Sequence, residues 1–94
     1  MSAASVTLVL TSALAQALDG RVAYEVRGRT VQEALDDAVR QEPRLARHLR
    51  DESGALRPHV LCVHNEVCVP RGDFGARVLA DGDRLRILNA VTGG

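Results

Sequence analysis

A single amphipathic helix is the feature of this sequence that most restricts how the chain can fold. In "TVQEALDDAV", Thr30 and Glu33 have the spacing of a capping box, which satisfies backbone N–H groups at a helix start. The apolar residues that follow recur at helical spacing and share one face: Val31, Ala34, Leu35, Ala38 and Val39. Pro43 disfavours helical geometry at the residue before it, so the helix should end near Gln41.

Strand patterns precede this helix. Residues 5–11 are rich in apolar and β-branched types, and "RVAYEVR" alternates, with Val22, Tyr24 and Val26 on one face. We expect these two strands to pair as a hairpin, with "SALAQALDG" as the loop between them. After the helix, "RLARHLRDESGALRP" is expected to contain a short helical turn against the core, followed by a surface loop.

Three further strands are predicted in the second half of the chain. Two lie in "HVLCVHNEVCVP" about a turn at Asn65 and Glu66, and "RLRILNAV" forms the last, with Leu85 and Ile87 on one face. Between them, "RGDFGARVLADGD" is expected to be loop and turn. The order of elements predicts an α+β domain in which one main helix packs on one face of a sheet of about five strands.

The charges of the chain cancel. Twelve arginines stand against twelve acidic residues, and the sequence contains no lysine. A neutral chain lacks the attraction by which proteins bind nucleic acid or anionic membranes, so we expect neither as a partner. Ninety-four residues form one domain, which is too small for an internal cleft of typical enzyme volume. The sequence contains no recognisable catalytic constellation, and we predict that the protein is not an enzyme.

Two histidines and two cysteines lie close together in the sequence: His59, Cys62, His64 and Cys68. On a strand, Cys62 and His64 share a face while His59 points to the other, which argues against a metal site. Across a hairpin with a two-residue turn, Cys68 faces Val63, so the two thiols lie on opposite sides of the sheet. We therefore predict a buried, reduced Cys62, no disulfide and no metal.

An apolar run near the N-terminus is followed by small residues with the spacing of a signal-peptidase site: Ala13, Ala15 and Ala17. No positively charged residue precedes Arg21, so the charged segment that begins a signal peptide is missing. No segment has the length of a transmembrane helix. We expect a cytoplasmic protein.

The chain ends on two glycines, Gly93 and Gly94. Glycine has no Cβ, so it can enter a channel too narrow for any other residue. The terminal carboxylate has an ordinary pKa of about 3.5, so it is ionised and is a poor electrophile until it is activated. An end of this kind is suited to the active site of another protein.

The segment "LADGDRLRILNAVTGG" resembles the C-terminal signature of the ThiS/MoaD sulfur-carrier family, in which a DGD-type turn leads into the last strand and a Gly-Gly tail. "TVQEALDDAV" is similar to the helix of that family, and "VHNEV" to its hairpin. The chain looks closest to the carriers used for cysteine biosynthesis in actinobacteria. The resemblance implies a ubiquitin-like β-grasp fold with a mixed sheet in residues 1–90, and a flexible reactive tail in residues 91–94.

The resemblance also implies a reaction. A ubiquitin-activating-type adenylyltransferase would use ATP and magnesium to adenylate the Gly94 carboxylate, and the chain itself would bind no cofactor. A sulfur donor protein or sulfide source would displace AMP, and a sulfur-accepting synthase would take the sulfur from the resulting thiocarboxylate. Partner enzymes would recognise the tail residues Val91, Thr92 and Gly93. Phe74 and Leu88 are candidates for an apolar docking patch, although either residue could instead belong to the core.

Two other classes of function are compatible with the same sequence. A ubiquitin-like modifier would share the activation of Gly94 but form an isopeptide bond to a target lysine. A non-covalent β-grasp binding module would leave the glycines unused. For a carrier, the acceptor could be a molybdopterin precursor, a thiazole, an activated serine or a natural-product intermediate, because the partner synthase selects it.

Overall fold

The computed structural model describes residues 3–50, 52–53, 57 and 60–89. Within this part of the chain the elements are β1 Ala4–Val9, α1 Ser12–Gln16, β2 Ala23–Gly28, α2 Val31–Gln41, α3 Arg44–Leu49, β3 Val60–His64, β4 Val67–Val69 and β5 Arg84–Asn89. A 3-10 helix at Arg71–Asp73 lies between β4 and β5. None of the described helices is both long and apolar enough to cross a membrane.

The strands form one sheet in the order β2-β1-β5-β3-β4. β1 is antiparallel to β2 and parallel to β5, whereas β3 is antiparallel to both β4 and β5. The sheet is therefore mixed and has five strands, which confirms the predicted α+β architecture. Both predicted hairpins are present.

The core lies between one face of the sheet and the helices. Leu85 and Ile87 of β5 are fully buried in it, on the face that their alternation predicted. The apolar stripe of α2 also faces the core, with its buried members Val31, Ala34, Leu35 and Ala38 and the partly buried Val39. Leu45 and Leu49 of α3 belong to the same cluster, so the predicted helical turn is confirmed.

The predicted loop between β1 and β2 is in part helical. α1 begins after Thr11, whose hydroxyl accepts a hydrogen bond from the backbone N–H of Leu14 at 3.2 Å. The helix buries Leu14 and Ala15, and this burial stabilises an element too short to be stable alone. β2 begins at Ala23, so Val22 lies before the strand and is 49% exposed, although the alternation had grouped it on one strand face with Tyr24 and Val26, which are buried.

Side chains of α2 form hydrogen bonds with backbone groups at the outer edge of β2. The backbone N–H of Arg27 donates to Asp37 Oδ2 at 2.9 Å. Gln41 Nε2 donates to the backbone oxygen of Glu25 at 2.7 Å. A hydrogen bond from Arg40 lowers the pKa of the Asp37 carboxyl, which keeps this acceptor ionised. Because these positions are occupied, the edge of β2 is protected from the addition of another strand.

Gly28 ends β2 where the strand meets the start of α2. A Cβ at this position would lie 2.4 Å from the backbone nitrogen of Ala34 and 2.9 Å from Cβ of Glu33. Both distances are far shorter than van der Waals contact. Only glycine therefore allows the strand and the helix to approach this closely.

We predict that Gly28→Ala lowers the free energy of unfolding by about 1–3 kcal/mol, because the helix backbone must move to admit the methyl group. Denaturant unfolding followed by circular dichroism measures the effect. Gly75→Ala is the matched control, since a Cβ at Gly75 meets nothing within 4 Å. Equal stability of the two variants would contradict the inferred close packing.

Candidate functional site

The strand that leads to the C-terminus lies in the middle of the sheet. β5 is paired with β1 from Thr7↔Arg84 onwards and with β3 as far as Val60↔Asn89. Because β5 is hydrogen-bonded to a strand on each side, its position in the sheet is well fixed, and the C-terminal segment follows directly from it. The predicted domain boundary at residue 90 lies outside the described residues. So do the predicted tail residues Val91, Thr92, Gly93 and Gly94.

The carboxylate of Asp83 stabilises the turn that begins β5. Its Oδ2 accepts hydrogen bonds from the backbone N–H of Ala80 at 2.8 Å and from His64 Nε2 at 2.7 Å. Its Oδ1 accepts from the side-chain amide of Asn65 at 2.8 Å. These hydrogen bonds, chiefly the one from the backbone N–H of Ala80, hold the pKa of the Asp83 carboxyl at about 2. The carboxylate is therefore ionised throughout the physiological range.

The predicted Asn65-containing hairpin is joined to the DGD-type turn through this carboxylate. Arg77 Nε donates to His64 Nδ1 at 2.9 Å, and His64 is 6% exposed. Because arginine can only donate, Nδ1 is the acceptor, and the ring proton is on Nε2, which donates to Asp83. Asn65 Oδ1 also accepts from the backbone N–H of Arg84 at 2.8 Å. The two segments that carry the family resemblance thus form one hydrogen-bonded network.

Phe74 belongs to the core, which is one of the two roles considered for it. Its side chain is 5% exposed, and its carbonyl accepts a hydrogen bond from the backbone N–H of Gln32 at 3.0 Å. The ring therefore holds a loop that caps the start of α2. Thr30 Oγ1 caps the same helix by accepting from the backbone N–H of Glu33 at 3.3 Å, as predicted. The Glu33 carboxylate accepts from the N–H of Arg29, one residue earlier than in a capping box.

Leu88 lies on the sheet face that the helices leave open. It is half-buried and pairs with Leu61, which is 38% exposed. Val63 occupies the same face of β3 and is 8% exposed. We call Leu61, Val63 and Leu88 the apolar strip. Of these three, only Leu88 was predicted as a docking residue, although the alternation of Leu61 and Val63 with the buried Cys62 places them on the open face.

The two cysteines are free and lie on opposite faces of the hairpin. Cys62 is 1% exposed and points into the core, whereas Cys68 is exposed and pairs with Val63, as predicted. Burial raises the pKa of the Cys62 thiol to about 12, so this thiol is not reactive. His59 lies outside the described residues. Across the part of the chain that is described, no three potential metal ligands lie together.

We predict that Asp83→Asn lowers the free energy of unfolding by about 1–3 kcal/mol at neutral pH, because an amide cannot accept at both positions. The pKa of Asp83 is about 2 in the folded protein and is lowered from 3.8. The wild-type protein should therefore have this stabilisation above about pH 4 and lose it as the pH falls towards 2. Denaturant unfolding across this range tests the prediction.

The exposed Glu52 provides the control for Asp83, and Glu52→Gln should keep the wild-type stability and pH profile. An Asp83→Asn variant as stable as this control would contradict a stabilising role for the carboxylate.

Comparison with known proteins supports the family resemblance and the fold described above. The profile of the ThiS family matches residues 12–94. The chain is 30% identical to small archaeal modifier protein 1 of Haloferax volcanii, with a TM-score of 0.76 over 96% of this chain and 99% of that one. A chain of the Amycolatopsis orientalis BexX/CysO complex is 29% identical, with a TM-score of 0.79 over 95% of this chain and 99% of that one.

CysO of Mycobacterium tuberculosis, described as an antigen, is 27% identical, with a TM-score of 0.78 over 92% of this chain and 99% of that one. No curated protein sequence matches the chain. The similarity to CysO from actinobacteria confirms the resemblance inferred from the C-terminal signature, and the family profile covers most of the chain. The chain belongs to the ThiS family and has its ubiquitin-like β-grasp fold.

Proposed function

We propose that this protein is a sulfur carrier: a partner enzyme adenylates the Gly94 carboxylate, which becomes a thiocarboxylate and then donates its sulfur in biosynthesis. The observation that carries the proposal is the ThiS-family match, which extends to residue 94 and so includes Gly93 and Gly94. The chain is a carrier and not a catalyst, and it acts in the cytoplasm. Catalysis, ATP and magnesium belong to its partners.

The first step is activation of the terminal carboxylate. An oxygen of the Gly94 carboxylate attacks the α-phosphorus of ATP, pyrophosphate leaves, and an acyl adenylate forms. Magnesium on the adenylyltransferase neutralises the phosphate charge during this step. Because the carboxylate is ionised at neutral pH, it is a competent nucleophile towards phosphorus, and its carbonyl carbon becomes electrophilic only after adenylation.

The second step introduces sulfur. Hydrosulfide attacks the carbonyl carbon of the acyl adenylate, AMP leaves, and a thiocarboxylate and a proton remain. A protein persulfide can supply the same sulfur: the first product is then an acyl disulfide, which a second thiol cleaves to the thiocarboxylate. The terminal sulfur is the nucleophile that a sulfur-accepting synthase directs at its substrate.

The position of β5 supports this use of the tail. β5 ends at Asn89, and five residues follow it. In an extended conformation of about 3.3 Å per residue, five residues reach about 17 Å. That length allows Gly94 to enter a partner's active site while the folded domain remains at its entrance. Val91, Thr92 and Gly93 would line the narrow part of this path.

The absence of lysine also supports the proposal. An acyl adenylate reacts readily with primary amines, and the sequence has no side-chain amine. An activated Gly94 therefore cannot be consumed by a lysine of its own chain.

The resemblance to actinobacterial CysO makes a synthase that uses activated serine the first acceptor to test. A molybdopterin precursor, a thiazole and a natural-product intermediate are the other acceptor classes, and each would require its own synthase. The carrier chemistry at Gly94 is the same in all four cases.

We predict that incubation with the ubiquitin-activating-type adenylyltransferase of the same organism, ATP, magnesium and sulfide increases the mass of the protein by the exchange of one oxygen for sulfur. Intact-mass spectrometry measures this change, and a reaction without ATP is the control. Conjugates with other proteins would instead favour a modifier, the class to which the name of the Haloferax volcanii protein refers. An unchanged mass with an enzyme that activates another carrier would favour a non-covalent binding module.

We predict that deletion of Gly94 abolishes adenylation and leaves the thermal unfolding midpoint unchanged, because terminal residues outside the packed core contribute little to stability. ATP–pyrophosphate exchange measures the first effect and differential scanning calorimetry the second. Gly75→Ala, which alters a glycine with open space around it, should retain full activation. A large loss of stability on deletion of Gly94 would refute the idea of a separate reactive tail.

A further inference from the structure

Two arginines at the beginning of β5 have no acidic partner among the described residues. Arg84 and Arg86 are exposed and alternate with the buried Leu85 and Ile87, so both side chains project from the open face of the sheet. Neither guanidinium forms an ion pair or a hydrogen bond with any residue that the structure describes. Other arginines of the domain do pair with nearby carboxylates: Arg40, Arg44 and Arg50.

The carboxylates closest to Arg84 in the fold are already engaged. Asp83 precedes it in the chain, but both oxygens of that carboxylate accept hydrogen bonds at the start of β5. Thr7 pairs with Arg84 in the sheet, and its hydroxyl donates to Glu25 Oε1 at 2.7 Å. The hydroxyl of Ser5 donates to the other oxygen of Glu25 at 3.1 Å. The positive charge of Arg84 is therefore left without a matching charge in the described structure.

Both arginines line an open cavity of about 470 Å³, together with Asn65, Glu66 and Gly82. Sites for small molecules have volumes of roughly 300–1,000 Å³, and most are lined by apolar and aromatic side chains. None of the described residues that line this cavity has an apolar side chain. Two guanidinium groups face one carboxylate, so the cavity carries a local excess of positive charge although the whole chain is neutral. A small, polar anion is the ligand that suits it.

Hydrogen bonds fix the wall of the cavity before any ligand enters. The side-chain amide of Asn65 donates to Asp83 Oδ1 and accepts from the backbone N–H of Arg84, both at 2.8 Å. The backbone N–H of Gly82 donates to the carbonyl of Ser5 at 3.0 Å. These backbone N–H groups are thus not available to a ligand, whereas the two guanidinium groups are. A preformed wall also lowers the cost of ordering on binding.

The spacing of the two arginines favours an anion with two phosphoryl groups. Residues two apart on a strand have Cα atoms about 7 Å apart. A guanidinium binds a phosphoryl group through two parallel N–H···O bonds. A diphosphate has two phosphoryl groups joined by one oxygen, so each can bind its own arginine. A single phosphate or carboxylate can bind only one guanidinium in this way.

We propose that the cavity at Arg84 and Arg86 is a binding site for a diphosphate group, either free pyrophosphate or the diphosphate of a nucleotide. One phosphoryl group binds each guanidinium, and the carboxylate of Glu66 weakens the binding. The site lies at the first residues of β5, whereas Gly94 follows the other end of that strand. The inference therefore goes beyond the proposed function and does not depend on it.

Isothermal titration calorimetry with sodium pyrophosphate at low salt tests the site in the full-length protein. Arg84→Gln and Arg86→Gln should each raise the Kd by about tenfold, because each removes one charged pair of hydrogen bonds. Glu66→Gln should lower the Kd by about threefold, because it removes a repelling charge. Arg47→Gln makes the same change of charge at an exposed position on α3 and should bind as wild type. Added salt should raise the Kd of the wild type.

Titration with ADP distinguishes the two sources of the diphosphate. The described lining has no apolar side chain to hold a base, so we expect ADP and pyrophosphate to bind equally. Tighter binding of ADP that Arg84→Gln weakens would identify a nucleotide as the occupant of the same site.

Chemical-shift mapping in the wild type locates the site without any substitution. Pyrophosphate should shift the amide resonances of residues 65–66 and 82–86. Shifts centred elsewhere, or the absence of saturable binding, would overturn the inference. So would equal Kd values for Arg84→Gln, Arg86→Gln and the Arg47→Gln control.

Discussion

The parallel pairing of β1 with β5 is the constraint on which the rest of the structure depends. It brings the first and last strands of the chain together and places the last strand between β1 and β3. Parallel neighbours need a long crossover connection, which here contains α2, α3 and the second hairpin. Leu85 and Ile87 bury the inner side of β5 in the core. The C-terminal segment therefore follows a strand that is paired on both sides at the centre of the sheet.

The residues that carry the family resemblance divide into two groups with different physical roles. His64, Asn65 and Asp83 are hydrogen-bonded to one another at the beginning of β5, and their role is to stabilise the fold. Gly93 and Gly94 lie beyond its other end and are the residues to which the proposed chemistry belongs. A single strand thus separates the network that stabilises the fold from the carboxylate proposed to react. The open face between them carries the apolar strip, together with Arg84 and Arg86, which form no ion pair with any of the described residues.

Local patterns predicted most elements because their signals are contained in a few consecutive residues. The stripe and cap of α2, the turn at Asn65 and Glu66, and the alternation of Leu85 and Ile87 are of this kind. α1 was missed because five residues show no helical period and its stability comes from burying Leu14 and Ala15 under distant parts of the chain. Phe74 was ambiguous for a similar reason, since only the packing of its loop against α2 decides that the ring is buried.

The sequence by itself determined the fold class, the single main helix, the two hairpins and the Gly-Gly end, because periodicity, turn residues and terminal residues are local properties. Only the tertiary structure decided which side chains share the open face. Leu61 and Leu88 are far apart in the chain, and they become neighbours through the register of β3 against β5. Arg84 and Arg86 were indistinguishable from the other arginines until ion-pair distances showed which charges are matched. Register and charge pairing depend on residues distant in sequence, so they follow from the folded chain and not from any one segment of it.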